Sequence, residues 1–213
     1  MKNKMLKLVI VGMSSLVLFG CESKDVRISA DKAKNNEVIV TSKGTIQGVI
    51  KEKFDKNYYK ENELKNFIKI DLDEFNKENS TSIKLNSMSV RKDNVYVVLD
   101  YKSTEEFNKY NDYKITIMNS KEAKRGSVIP DKLNIYGKSK KESKKDAITT
   151  EMKAIVIEEK TDNSDENSIP SDKKVDFKIT VEGKIKYATG ASKADSNTAK
   201  VSSLKKPIVI VYK

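Results

Sequence analysis

Apolar and polar residues alternate in short runs along the first half of the chain. Runs at residues 37–42 and 45–54 flank a Lys-Gly pair, which is typical of a β-hairpin. A second pair of runs, at residues 82–91 and 94–101, predicts another hairpin. The apolar parity of its first strand changes near Asn86, which predicts a β-bulge there.

One stretch between the two hairpins, residues 60–79, has helical spacing instead. Its apolar residues recur three and four positions apart and share one helix face: Leu64, Phe67, Ile68, Leu72 and Phe75. At about 1.5 Å per residue this helix would run about 30 Å, long enough to lie across a sheet. We therefore predict that its apolar face packs on the hairpin strands.

The last third of the chain returns to strand patterns. Residues 152–159 and 175–182 are predicted strands, and apolar and polar residues alternate in the second. Residues 207–212 are apolar on both faces and are expected inside a sheet. The acidic stretch 161–174 is predicted to be a mobile loop. Together the patterns predict an α+β fold, in which one long amphipathic helix packs on an antiparallel sheet and a β-rich C-terminal part follows.

Changes in composition suggest boundaries along the chain. We predict a lipoprotein signal peptide at 1–20, a flexible tether at 21–36, an α+β region at 37–137, a basic linker at 138–150, and a β-rich region at 151–213 that shares the same core.

The N-terminus has the layout of an export signal. Three lysines precede an apolar run of roughly twelve residues, too short for a bilayer that needs about 20 in a helix. The run ends in Leu18-Phe19-Gly20-Cys21, which resembles the lipobox of bacterial lipoproteins. The resemblance implies that the Cys21 thiol becomes a thioether to diacylglycerol, and that Cys21 is the first residue after cleavage. Acyl chains such as palmitate would then anchor the protein to the membrane.

Further segments are similar to those of a family of exported lipoproteins from Gram-positive bacteria. They are the sequence Phe54-Asp55-Lys56-Asn57-Tyr58-Tyr59 before the helix, and the stretches 183–187 and 208–212 near the C-terminus. The family has no assigned activity, so the resemblance implies a location and no mechanism. That location is extracytoplasmic, at the cell envelope, with the lipid in the cell membrane.

Composition narrows the chemistry. The chain has no His and no Trp, and Cys21 is its one cysteine. Ser-His-Asp catalysis, Cys-His catalysis and imidazole metal sites are therefore excluded, and we predict neither a catalytic residue nor a cofactor nor a metal. The formal net charge is +11. The simplest interpretation is a lysine-rich, solvated surface, which the 34% of charged residues favours. If the charge has a partner, an exported protein is expected to meet anionic envelope polymers or lipids rather than nucleic acid.

The positive charge is densest at residues 138–145. The candidate contacts with an anionic wall polymer are Lys138, Lys140, Lys141, Lys144 and Lys145. Each lysine near an anionic surface contributes about 1 kcal/mol, reduced by salt. The alternative is that the run is a solvated linker, because charge runs usually are.

The sequence thus favours a non-enzymatic lipoprotein that binds or scaffolds an envelope component, an anionic polymer or another envelope protein. One alternative is a solute-binding lipoprotein of a transporter. A second is an envelope hydrolase that uses carboxylates such as Asp71, Glu74 and Glu78, which follow one side of the predicted helix. Tyr58 and Tyr59 are candidates for stacking on sugars, although core positions are the simpler interpretation.

Overall fold

The computed structural model describes residues 26–127, 129–139, 141–160 and 174–213. Of these residues, 43% lie in strands and 20% in helices. The helices are α1 (Glu61–Asn79), α2 (Thr104–Tyr110) and α3 (Ser120–Arg125), with a 3₁₀ turn at Lys145–Ala147. The strands are β1 (Glu37–Val40), β2 (Ile46–Lys53), β3 (Lys84–Arg91), β4 (Asn94–Tyr101), β5 (Tyr113–Asn119), β6 (Lys132–Asn134), β7 (Glu142–Lys144), β8 (Lys153–Glu159), β9 (Lys174–Val181), β10 (Ile185–Thr189), β11 (Ser192–Lys193), β12 (Thr198–Ser203) and β13 (Ile208–Tyr212).

The strands form two main sheets and one separate hairpin. The seven-stranded sheet has the order β11-β12-β9-β1-β2-β4-β3, and the four-stranded sheet has the order β10-β13-β8-β5. All neighbours are antiparallel except β1 and β9, which are parallel. Because β9 and β12 join β1 and β2 in one sheet, residues of the C-terminal part and of the first half of the chain lie in one buried cluster.

The two sheets pack face to face through alternate side chains. The seven-stranded sheet contributes residues such as Val40, Leu99 and Ile179, and the four-stranded sheet contributes Ile155 and Ile210 to the same buried cluster. Side chains of the opposite parity point outward, as the two-residue period of a strand requires. The outer face of the four-stranded sheet is also apolar, and it is covered by α3 and by residues that follow it.

The N-terminal segment 26–36 covers the outer face of the seven-stranded sheet. Ala30 and Ala33 are buried there against Ile39 and Val98. The Arg91 guanidinium lies over the Tyr96 ring at 4.0 Å from its centroid and donates hydrogen bonds to both alanine carbonyls. This part of the predicted tether is therefore packed structure; residues 21–25 lie outside the described residues.

The predicted fold class is wrong, because the protein is β-rich rather than a long helix packed on a sheet. Residues 61–79 are helical, but Leu72 is the one α1 residue that is buried. Phe67 and Ile70 are 66% and 59% exposed. The four-stranded sheet covers much of the face of the seven-stranded sheet that the helix was expected to cover. A second sheet offers a broad apolar layer for packing, whereas a helix offers only an apolar stripe.

Several local predictions are confirmed. β1 and β2 form an antiparallel hairpin, and Gly44 in the turn has a φ of 81°, which glycine adopts without strain. The register between β3 and β4 shifts between Leu85 and Ser87, where the bulge was expected. β13 lies inside its sheet, between β10 and β8. The predicted acidic loop covers residues 161–174, of which 161–173 lie outside the described part of the chain and Lys174 begins β9.

Candidate functional site

The lysine run is not a linker. Residues 132–144 contain the hairpin of β6 and β7, in which Lys132 lies opposite Lys144 and Leu133 is fully buried. Ile135 extends the hairpin by forming a β-bridge with Tyr187 of β10. Leu133, this bridge and the hydrogen bond from the Tyr136 hydroxyl to the carbonyl of Thr198 attach the hairpin to the rest of the fold. The lysine run is therefore part of the folded structure.

The hairpin presents several of the predicted lysines to solvent. Lys138, Lys141 and Lys144 are exposed, whereas Lys145 is half-buried and its ammonium donates a hydrogen bond to the carbonyl of Gly126. Lys140 and Cys21 lie outside the described residues. The structure therefore places three predicted contacts on one folded element and gives the fourth, Lys145, a structural hydrogen bond.

The bond from Lys145 brings the hairpin beside the end of α3, which sequence reasoning did not connect with it. Asn119 caps this helix by accepting from the amide of Glu122, whose carboxylate accepts in turn from the amide of Asn119. The last turn carries Lys124 and Arg125, both exposed, beside Gly126. We call Lys124, Arg125, Lys138, Lys141 and Lys144 the basic surface. The sequence did not indicate that these residues lie together, because the two segments are brought together by the hydrogen bond between Lys145 and Gly126.

A cavity of about 420 Å³ lies between the two sheets at one end. Tyr101, Phe107, Tyr113 and Phe177 line it, with successive ring centroids 5.1–5.5 Å apart. Five carboxylates line the cavity: Glu37, Glu52, Asp112, Glu159 and Asp176. Of these, Glu37 accepts from the Thr180 hydroxyl, and Asp176 pairs with Lys200 at 3.2 Å. The aromatic rings thus form one side of the cavity at this end of the core.

We expect the stability of the protein to fall between pH 10 and about 12. Burial raises the pKa of Tyr110 and of Tyr212 from 10.0 to about 12, and it also raises the pKa values of Tyr101 and Tyr113. Tyrosines of the unfolded chain lose their protons near pH 10, while those of the folded chain keep them. The unfolded state then binds fewer protons, so the free energy of unfolding decreases as pH rises.

Urea unfolding at a series of pH values measures this loss, and the absorbance of ionised tyrosine reports the titration directly. Tyr110→Phe removes one of the hydroxyls whose pKa is raised and should reduce the slope above pH 10. A slope unchanged by this substitution would show that Tyr110 does not contribute to the alkaline loss.

A second concavity lies beside the first half of α1. This groove of about 580 Å³ runs between the helix and the strands β2 and β4, and Phe54, Tyr58 and Tyr59 stand at its mouth. Tyr58 and Tyr59 are 69% and 41% exposed. The interpretation of these two tyrosines as core residues is therefore wrong, because α1 does not close over them.

The three α1 carboxylates considered for a hydrolase do not line a common concavity in the described residues. Asp71 accepts a hydrogen bond from the Tyr110 hydroxyl at 3.1 Å, whereas Glu74 and Glu78 are exposed and line neither concavity. Across the residues that the structure describes, no group of three acidic, Cys or His side chains is arranged to hold a metal ion. In the same residues, no helix combines the length and apolar character of a membrane span.

Comparison with protein-family models, with curated proteins and with solved structures finds no match for this chain.

Proposed function

We propose that this protein is a cell-envelope lipoprotein, anchored through lipidated Cys21 to the outer face of the cytoplasmic membrane. Its role is non-enzymatic: it binds or scaffolds an anionic wall polymer. The observation that supports this proposal is the basic surface, where two segments distant in sequence meet and present exposed cationic side chains.

A folded display of charge favours polymer binding for a physical reason. A disordered lysine tail loses conformational entropy when it is ordered on a ligand, whereas the backbones of the β6–β7 hairpin and α3 are already fixed. Each lysine close to a dense array of phosphates contributes about 1 kcal/mol at low ionic strength. At physiological salt the interaction extends about 8 Å, so only side chains on one surface act together.

The experiment compares two triple variants of the protein that begins at Glu22, which retains every described element. Lys138, Lys141 and Lys144 are changed to Gln in one variant. In the matched control, the exposed α1 residues Lys65, Lys69 and Lys77 are changed to Gln. Both variants lose the same net charge. Binding is measured to wall fractions with and without teichoic acid, at low and high salt.

We expect the hairpin variant to bind up to roughly 100-fold more weakly at low salt, and the control variant to bind nearly as well as the parent. Binding should require teichoic acid and should fade with salt. Equal losses in the two variants would mean that net charge alone drives binding. Absence of binding at low salt would refute the proposal.

A second candidate function is solute binding, and the cavity between the two sheets favours it. Its volume of about 420 Å³ lies in the range of small-molecule sites, and four aromatic rings line it together with polar and acidic side chains. Thermal melting in the presence of candidate solutes tests this function, because a ligand that binds the folded state raises the melting temperature. Because the cavity does not include the basic surface, variants of the surface lysines should not change this ligand-induced rise. The two functions can therefore be tested separately.

A further inference from the structure

The groove beside α1 exists because the helix is held at its C-terminal end and leans away from the sheet at its N-terminal end. The Asn76 side chain donates to the carbonyl of Ile83 and accepts from its amide, which fixes the end of the helix to the start of β3. Leu64 and Ile68, in the first half, are only partly buried. Their apolar side chains form one wall of an open groove.

The floor of the groove offers no hydrogen bond. It consists of Val95, Val97 and Leu99 of β4, with Ile50 of β2 beside them. β4 is paired on both sides, with β2 and with β3, so its backbone amides and carbonyls are already used. An extended peptide lying on this floor would leave its own backbone groups unpaired, at a cost of roughly 1–3 kcal/mol each. The occupant must therefore be apolar along its length.

The size of the groove sets a second limit. Three turns of a helix with side chains, about 10–12 Å across, occupy more than about 1,200 Å³. The groove, of about 580 Å³, is open to solvent on one side and would seat only one face of such a helix. A partner helix would therefore remain largely outside the groove, whereas a single hydrocarbon chain can lie within it.

The residues at the rim of the groove limit the charge of the occupant's polar head group. The charged residues of the rim balance: Lys53 and Lys60 stand against Glu52 and Glu63, and the Lys60 ammonium is 2.8 Å from the Glu63 carboxylate. The Tyr58 and Tyr59 rings meet edge to face at 5.0 Å. Tyrosines suit a boundary between an apolar interior and water, because the ring is apolar and the hydroxyl is polar.

We propose that the groove binds one alkyl chain of an amphiphile whose head group is neutral or zwitterionic. The chain lies on β4 against Leu64 and Ile68, and the head group remains at the tyrosine rim. This site is independent of the basic surface, since it uses apolar contact rather than net charge.

Calorimetric titration tests the proposal with the protein that begins at Glu22. The probes are alkyl phosphocholines and alkyl maltosides with chains of eight, ten and twelve carbons, each below its micelle-forming concentration. Burial of a methylene group is worth about 0.8 kcal/mol, so affinity should rise about two- to fourfold per methylene. The two head groups should give similar slopes.

A pair of matched substitutions locates the site. Leu64→Trp fills the groove and should weaken binding at least tenfold. Ile70→Trp adds the same ring to the same helix, at an exposed position outside the groove, and should leave affinity unchanged. The chain has no other Trp, so fluorescence of each variant reports its own site, and circular dichroism checks that both variants fold.

Affinity that does not depend on chain length, or that falls equally in the two variants, would overturn the proposal. So would self-association of the parent protein that Leu64→Trp abolishes, since the groove would then belong to a second copy of the chain. Tight binding of an amphipathic helical peptide, competing with the amphiphiles, would likewise assign the groove to a protein partner.

Discussion

Removal of residues 208–213 is expected to abolish cooperative folding. These residues include β13, the strand between β10 and β8, and all five of its side chains are buried. Burying each contributes about 1.5–3 kcal/mol, so the strand contributes on the order of 10 kcal/mol before the entropy of ordering it. The whole stability of a domain is about 5–15 kcal/mol. Loss of β13 also leaves two neighbouring strands with unpaired edges.

Circular dichroism and urea unfolding measure this effect. The control variant lacks only Lys213, an exposed residue whose backbone pairs with Lys184 and whose ammonium contacts Glu151. It should retain a cooperative transition at slightly lower urea. A cooperative transition in the longer deletion would show that the seven-stranded sheet folds without its partner, and would contradict the shared core.

Tyr101→Ala is expected to lower the free energy of unfolding by about 3–5 kcal/mol, the range for loss of a large buried aromatic ring. Tyr101 is 2% exposed and lies at the centre of the aromatic cluster, with ring centroids 5.1 Å from Phe107 and 6.3 Å from Tyr110. Its ring passes over Gly48, where an added Cβ would lie 3.1 Å from a ring carbon. The space left by the ring cannot refill easily, because strands on both sides are fixed.

Tyr101→Phe is the matched control, since it keeps the ring and removes only the hydroxyl. It should cost about 0.5–1.5 kcal/mol, the contribution of one hydrogen bond. Urea unfolding of both variants gives the comparison. A similar loss in the two variants would mean that the hydroxyl, rather than packing of the ring, carries the effect of this residue.

Strands whose pairing is local were predictable. The two hairpins of the first half, and the bulge near Asn86, follow from alternation and from short turns that bring the partners together. β13 could be placed inside a sheet because it is apolar on both faces. In each case the residues that determine the structure are close together in sequence or within one strand.

The candidate sites were less predictable. The lysine run was evident, but its folding into a hairpin depends on Leu133 and on a bridge to Tyr187, more than fifty residues away. The contribution of α3 to the basic surface depends on one hydrogen bond from Lys145. The packing of segment 26–36 depends on Arg91, and its few small apolar residues gave little indication of burial.

The helix shows the same division most clearly. The spacing of Leu64, Ile68 and Leu72 by itself determined that residues 61–79 are helical, because helix periodicity is a property of neighbouring residues. Whether that face is buried was decided only by tertiary structure. Two sheets from distant parts of the chain pack on each other and leave the helix face partly uncovered. An apolar pattern indicates that a helix face can be buried. Which element buries it depends on how all the other apolar faces of the fold pack. For α1 the outcome is a half-open groove, and that groove is where we expect a ligand.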